Sequence, residues 1–406
     1  MKKTVLINLC LMALPLSAVS QWLSLSHDGG GPLWVDPNRL YDYNQYEKSR
    51  WGLGLRWGWD ASEIDTTRYG WDRLSLAAYT AYGYADQRFK WGVEASLWGN
   101  PKLNEQFYIN FFHDLTPDAS RAISTPSLNI LTAPSSLMTR LFSDTYRLTF
   151  GHTRKVTKKL TESLEFHLSR ERQLYGNGNP YIATPIYPTY SELNDMKAYD
   201  FAELLLYLSH SSGWSGKVEF GVFKTTSLSA QTFLRTLVQY DRRFPFSFLS
   251  LQVFGQGGIV NGSAKIPYSR RFDLGGTWSS PLLLNHSLLT VRPNEFTAML
   301  FSMVNLKLTT TDPLFEFYNN MLAIGTSPHP FLLANAAWGA SFDGIIYHAP
   351  SEGIAEVGAG IDGILVWGMV NWGFGVVYQL TPESAPYHLP DPKDNLTFLF
   401  TASLNL

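Results

Sequence analysis

The sequence predicts an all-β fold, a transmembrane antiparallel β-barrel of the outer-membrane kind with about sixteen strands, fourteen being the second choice. Three observations carry that expectation. Fifteen runs of about ten residues alternate bulky apolar side chains with small or polar ones, the period of a strand. Aromatic residues make up 15% of the chain and charged residues only 16%, against roughly 25% charged in an ordinary soluble domain. Surplus aromatics with scarce charge imply a second apolar surface besides a core. The first residues also read as an export signal.

That signal comes first in the chain. Met1-Lys2-Lys3 is basic, Val5 to Leu16 is largely apolar, and Ala18-Val19-Ser20 supplies small residues for cleavage before Gln21. The run is too short to span a bilayer as a helix, and Cys10 sits too early to be a lipidation cysteine. The expected organisation is a signal peptide over 1–20, an N-terminal segment over 21–40 and a barrel over 41–406. Cys10 is the single cysteine, so the mature chain has neither a disulfide nor a thiol nucleophile. A net charge of -2, from 32 basic and 34 acidic residues, leaves no electrostatic case for a nucleic-acid partner.

The strands follow in order. Over 50–60, Trp51, Leu53, Leu55, Trp57 and Trp59 oppose Gly52, Gly54, Arg56 and Gly58. Over 88–97, Phe89, Trp91, Val93 and Ala95 oppose Lys90, Gly92, Glu94 and Ser96. Weaker alternation marks 73–84, 105–114, 145–154, 160–171, 200–210, 216–224, 233–241, 247–256, 295–308, 331–340 and 354–362. Over 370–379, Val370, Trp372, Phe374, Val376 and Tyr378 share a face, with Val377 as an exception opposite. The last run, 395–406, places Leu396, Phe398, Phe400, Ala402 and Leu404 together. A soluble sandwich also alternates. Aromatics gathered at strand ends and unprotected sheet edges favour closure in a membrane. An even strand count is expected, so a sixteenth strand should lie in 21–48 or 309–329.

Tight turns are expected near Asp86-Gln87, Asn100-Pro101, Val156-Thr157, Arg242 to Pro245 and Gly363. Long connections cover 115–143, 172–198, 257–293 and 379–394, and all four fall outside the cell if the last strand runs inward. The polar face of the alternation makes Arg56, Lys90, Glu94, Arg147, Glu165, Glu295 and Lys307 the expected lining of the lumen. Segment 257–293 carries Lys265, Arg270, Arg271 and a Gly275-Gly276 turn. A basic loop of that length is expected to plug a lumen lined by Glu94, Glu165 and Glu295, or else to shield the surface.

Several stretches resemble the barrel half of the Bacteroidetes outer-membrane proteins with a carboxypeptidase-like regulatory domain. Tyr43-Asn44-Gln45-Tyr46-Glu47 with Gly52-Leu53-Gly54 is similar to the entry into that barrel's first strand. Ala81-Tyr82-Gly83-Tyr84-Ala85-Asp86 with Phe89-Lys90-Trp91-Gly92 resembles its next hairpin, and Glu356 to Ile361 with Ile364-Leu365 its penultimate one. The large periplasmic domains that this family carries ahead of the barrel have no counterpart here. The family in turn resembles the BamA and TamA class of assembly barrels. Phe272-Asp273-Leu274-Gly275-Gly276-Thr277-Trp278-Ser279 is similar to the start of that class's inward loop motif, but Ser280-Pro281-Leu282 stands where an Arg-Gly pair is expected.

Little in the sequence points to chemistry. His167-Leu168-Ser169 and His210-Ser211-Ser212 resemble the serine–histidine pairing of outer-membrane lipid esterases. Parity puts His167 and Ser169 in the lumen, where a lipid substrate does not reach, and His210 at a strand end without an orienting acid. The nine histidines lack zinc-site spacing, and the acids of 172–200 are scattered. No catalytic residue, metal or cofactor is expected. The expected surroundings are outer-membrane lipid and envelope protein partners. The expected role is non-catalytic: a pore, an assembly or insertion factor, or the barrel subunit of an envelope complex.

Overall fold

The computed structural model describes residues 23–24, 33–36, 41–44, 48–60, 73–84, 86–99, 105–117, 142–173, 198–225, 228–263, 266–274, 288–290, 297–319, 324–340, 353–366, 370–380 and 396–404. Fifteen long strands lie among them. The first five are β1 Lys48–Asp60, β2 Arg73–Gly83, β3 Phe89–Trp98, β4 Gln106–Pro117 and β5 Phe142–Lys155. Next come β6 Leu160–Gln173, β7 Ala198–His210, β8 Trp214–Lys224, β9 Gln231–Pro245 and β10 Leu249–Gly262. The last are β11 Leu300–Thr310, β12 Ile324–Ala340, β13 Ile354–Val366, β14 Val370–Gln379 and β15 Leu396–Leu404. Each pairs antiparallel with the next in one continuous sheet. Two short strands, Leu33–Asp36 and Tyr41–Asn44, pair along the free side of β1 and take a sixteenth position. The expected signal peptide, 1–20, lies outside the described residues.

The faces are inverted relative to a soluble protein. In β6 the residues Ser163, Glu165, His167, Ser169 and Glu171 are buried while Leu164, Phe166 and Leu168 are exposed. Trp51, Leu53, Leu55 and Trp57 of β1 and Leu204, Leu206 and Leu208 of β7 likewise face outward. A sheet that buries its acids and displays its leucines is stable only where the outside is hydrocarbon. The chain therefore folds as a transmembrane outer-membrane β-barrel. No helix among the described residues is long and apolar enough to cross a membrane, a test that does not bear on strands.

Antiparallel order makes connections alternate between the two ends. Those after β4, β6, β10 and β14, which contain the four long stretches of the sequence, all leave from the same end. Three details differ from the sequence expectation. Arg242 to Pro245 is not a turn: β9 continues through it, paired with Ser250 to Val253, and turns only at Phe246. Gly363 is not a turn either, but a bulge within β13 at φ +100°, where a Cβ would fall 2.2 Å from the Ser327 carbonyl oxygen. A glycine lets the strand bend and continue. Finally, the run 295–308 becomes a strand of the wall only at Leu300, because Thr297–Ala298 pairs instead with Phe272–Asp273.

Candidate functional site: a lumen segment held by buried carboxylates

Strand parity places Glu171 of β6, Glu203 of β7 and Glu219 of β8 on the lumen face, all buried. Register gathers them, since Glu203 lies opposite His167 on one side and Gly221 on the other. Gly221 keeps the space open for the Phe233 ring, which a Cβ would meet at 2.3 Å. Three carboxylates in a poorly hydrated space repel unless cations answer them. The wall supplies three: Arg147 donates to Glu171 at 3.0 Å, Lys217 lies 2.9 Å from Glu219, and Arg235 donates to Glu219 at 3.4 Å.

The fourth cation comes from the connection between β10 and β11. A single 3-10 turn, Tyr268–Arg270, aims Arg270 at the wall. Its two terminal nitrogens donate to both oxygens of Glu171 at 2.9 Å each, and its Nε donates to Glu203 at 2.5 Å and lies 3.5 Å from Glu219. The planar guanidinium also sits 3.9 Å above the Phe201 ring. On either side of it the segment is apolar. Ile266, Phe272 and Leu274 are fully buried, packed with Leu288 against Phe223, Phe233, Leu237, Phe254 and Phe301 of the wall. This cluster is a small core inside the barrel. It explains why β7 to β10 carry large apolar residues on both faces.

A second anchor grips the same connection from the opposite wall. Glu356 of β13 accepts the backbone N–H groups of Leu289 at 2.8 Å and Thr290 at 2.6 Å, and Asn335 donates to it at 3.1 Å. The Thr290 hydroxyl donates to Glu356 as well and lies 3.0 Å from Gln379 Oε1. Leu289 packs on Phe331, Leu333 and Val377, so the apolar exception in β14 covers this part of the segment.

The predicted lining residues separate into pairs. Arg56 faces Glu94 at 3.8 Å, Lys90 binds Asp86 at 2.5 Å, and Lys307 binds Asp362 at 2.8 Å. Glu165 accepts from the Tyr108 hydroxyl and lies 2.7 Å from His167 Nε2. Arg147 joins the Glu171 cluster, whereas Glu295, Lys265, Gly275 and Gly276 lie outside the described residues. Arg271 is buried and donates to the Ile266 carbonyl at 3.4 Å. The partners assigned to the loop need correction. Glu94 and Glu165 are matched within the wall, and Arg270 goes to Glu171, Glu203 and Glu219 instead. Glu171, Glu203, Glu219 and Glu356 escaped the sequence reading, although their parity in 160–171, 200–210, 216–224 and 354–362 already places them inward.

His210 Nδ1 lies 2.6 Å from Ser212 Oγ and accepts the Ser212 backbone N–H at 3.2 Å. The ring thus closes the β7–β8 turn, where Gly213 takes φ +100°. No carboxylate pairs with His210 among the described residues. Ser169 donates to Glu171, not to His167. No group of three or more His, Cys, Asp or Glu among the described residues is placed to hold a metal ion.

Inverted faces, a single antiparallel sheet and an internal segment define the class: a transmembrane barrel with an occupied lumen. Solved structures of similar architecture include BamA from Haemophilus ducreyi, in a form lacking POTRA domains 1-3. That match has 11% identity and a TM-score of 0.50, and it covers 94% of this chain and 71% of that one. CdiB from Acinetobacter baumannii matches at 9% identity and TM-score 0.45, over 88% of this chain and 57% of that one. CdiB from Escherichia coli matches at 10% and 0.45, over 89% and 60%. This chain thus spans 57% and 60% of the two CdiB chains and 71% of BamA. No family model and no curated protein matches the sequence.

Proposed function

We propose that the protein is a non-catalytic outer-membrane barrel whose lumen is closed at rest by segment 266–274 and opens when that segment moves. One observation carries the reading: Arg270 is held by three wall glutamates through polar contacts that a competing charge or a partner can exchange. A segment meant only to fill space would need no such cluster, because buried ion pairs contribute little net stability over apolar packing. The reading makes the barrel a gated conduit or the membrane subunit of an envelope complex. An assembly or insertion factor is the second reading, favoured by the architecture shared with BamA. The likeness to barrels with a carboxypeptidase-like regulatory domain rests on the short motifs quoted above. A lipid esterase is disfavoured because His210 is spent on its own turn.

Deleting 262–285 and recording single-channel current in planar bilayers tests the closure. The expected result is a large, stable conductance in the deletion and little in the intact chain. Arg270→Glu, which sets a like charge against the three glutamates, should raise the frequency of brief openings. Unchanged current in both variants, each still migrating as a folded barrel, would falsify the plug.

A further inference from the structure

A second cluster of charge lies outside the lumen. The turn between β5 and β6 carries Arg154, Lys155, Lys158 and Lys159 within six positions. Arg154 is paired with Glu162 at 2.5 Å, and Lys155, opposite Thr161, shares the lumen parity of its strand, but Lys158 and Lys159 are exposed and have no ion-pair partner among the described residues. Several cations elsewhere in the wall are matched: Arg50 with Asp114, Arg88 with Asp144, Lys90 with Asp86 and Lys307 with Asp362. The turn does not depend on its lysine side chains. Thr157 Oγ1 accepts the N–H groups of Lys159 and Leu160, at 3.2 and 3.0 Å.

Next to this turn, on the outward face, runs an apolar trough of about 570 Å³. Two registered rows bound it, Leu97, Phe107 and Leu164 nearer the turn and Ile109, Phe150 and Phe166 farther in. Ala95 keeps it open on the β3 side. At the trough's end nearer the turn the outward face becomes polar. His152, in the row of Phe107 and Leu164 and stacked on Phe107 at 4.2 Å, lies 2.9 Å from Glu105, and Arg154 meets Glu162 one row beyond. An ionisable pair on an otherwise greasy face marks the level where hydrocarbon gives way to headgroups.

We propose that the trough and the β5–β6 turn together form a site for one anionic glycerophospholipid, with an acyl chain in the trough and the phosphate on Lys158 and Lys159. The occupant follows from position and charge. This surface faces hydrocarbon, so what fills the trough is an acyl chain. Phe150 to Lys155 spans about 17 Å along the strand, within the reach of one lipid from mid-chain to headgroup. Two unmatched lysines favour a net negative headgroup over a zwitterionic one, whose own cation they would repel. Lysine stems can lie along apolar surface while their ammonium groups reach the phosphate.

Native mass spectrometry of the full chain in neutral detergent tests the site, with phosphatidylglycerol and phosphatidylcholine of identical chains as probes. One phosphatidylglycerol should be retained, about tenfold or more tighter than phosphatidylcholine. A K158Q/K159Q variant should lose that preference while still migrating as a folded barrel. Ala95→Phe, which fills the trough from an outward position, should weaken both lipids. An Arg242→Gln variant, in β9 toward the same end of the barrel, should leave retention unchanged. Equal retention of the two lipids by the intact chain sinks the proposal. So does a preference that survives the lysine changes, retention indifferent to Ala95→Phe, or a lipid-independent dimer that covers the trough.

Discussion

Arg270 meets carboxylates from three neighbouring strands with one planar group, and the two equal contacts to Glu171 need its fork of donors. A lysine offers one point charge and cannot span Glu171 and Glu203 together. Arg270→Ala should therefore destabilise the barrel by about 3–5 kcal/mol, since it removes one partner of a buried pair and leaves Glu203 poorly compensated. Arg270→Lys should recover only part of that loss. Arg154→Ala breaks a half-exposed pair with Glu162 and should cost less than about 1 kcal/mol. The temperature at which the compact gel form converts to the unfolded one ranks all three. Equal loss from Arg270→Ala and Arg154→Ala would mean that the lumen cluster is as well hydrated as the rim.

Strands act through parity and through the few glycines that parity alone does not explain. Leu204 and Phe166 lie side by side on the outward face of β7 and β6. Arg at either position should cost about 2–4 kcal/mol near mid-membrane. Gly255 of β10 is the control, because a side chain there meets nothing within 4 Å. Gly255→Leu should fold normally, and chemical denaturation of the reconstituted protein gives the comparison. Gly363 behaves differently. Its positive φ and its approach to Ser327 make Gly363→Ala cost about 1–3 kcal/mol. A neutral result there would show that β12 and β13 can re-register without their bulge.

For the molecule as a whole, the outward apolar face and the inward ion pairs require opposite solvents, and only insertion in a bilayer satisfies both. The protein should resist extraction by salt or carbonate and require detergent. Unheated samples should migrate faster on gels than boiled ones, because a continuous sheet wrapped around an internal core unfolds slowly. Release without detergent would contradict the inverted faces of β1, β6 and β7.

The sequence by itself determined the strands and their two faces, because a period of two is a local property that any single run displays. All fifteen runs became wall strands, and the parity of 160–171 correctly put His167 and Ser169 inward. Local pattern failed where a long-range contact competed with it. Thr297–Ala298 left the wall for Phe272–Asp273, and β9 ran past Arg242 because Ser250 to Val253 were there to pair with it. The apolar residues on the inner face of β7 to β10 read as noise in the alternation until Ile266, Phe272 and Leu274 supplied what they pack against. Which carboxylates hold Arg270 was beyond the sequence for the same reason. Parity told which glutamates face inward, but their meeting depends on the register of three strands and on a segment about a hundred residues distant from Glu171. That distance closes only when the sheet curls and the segment folds into it.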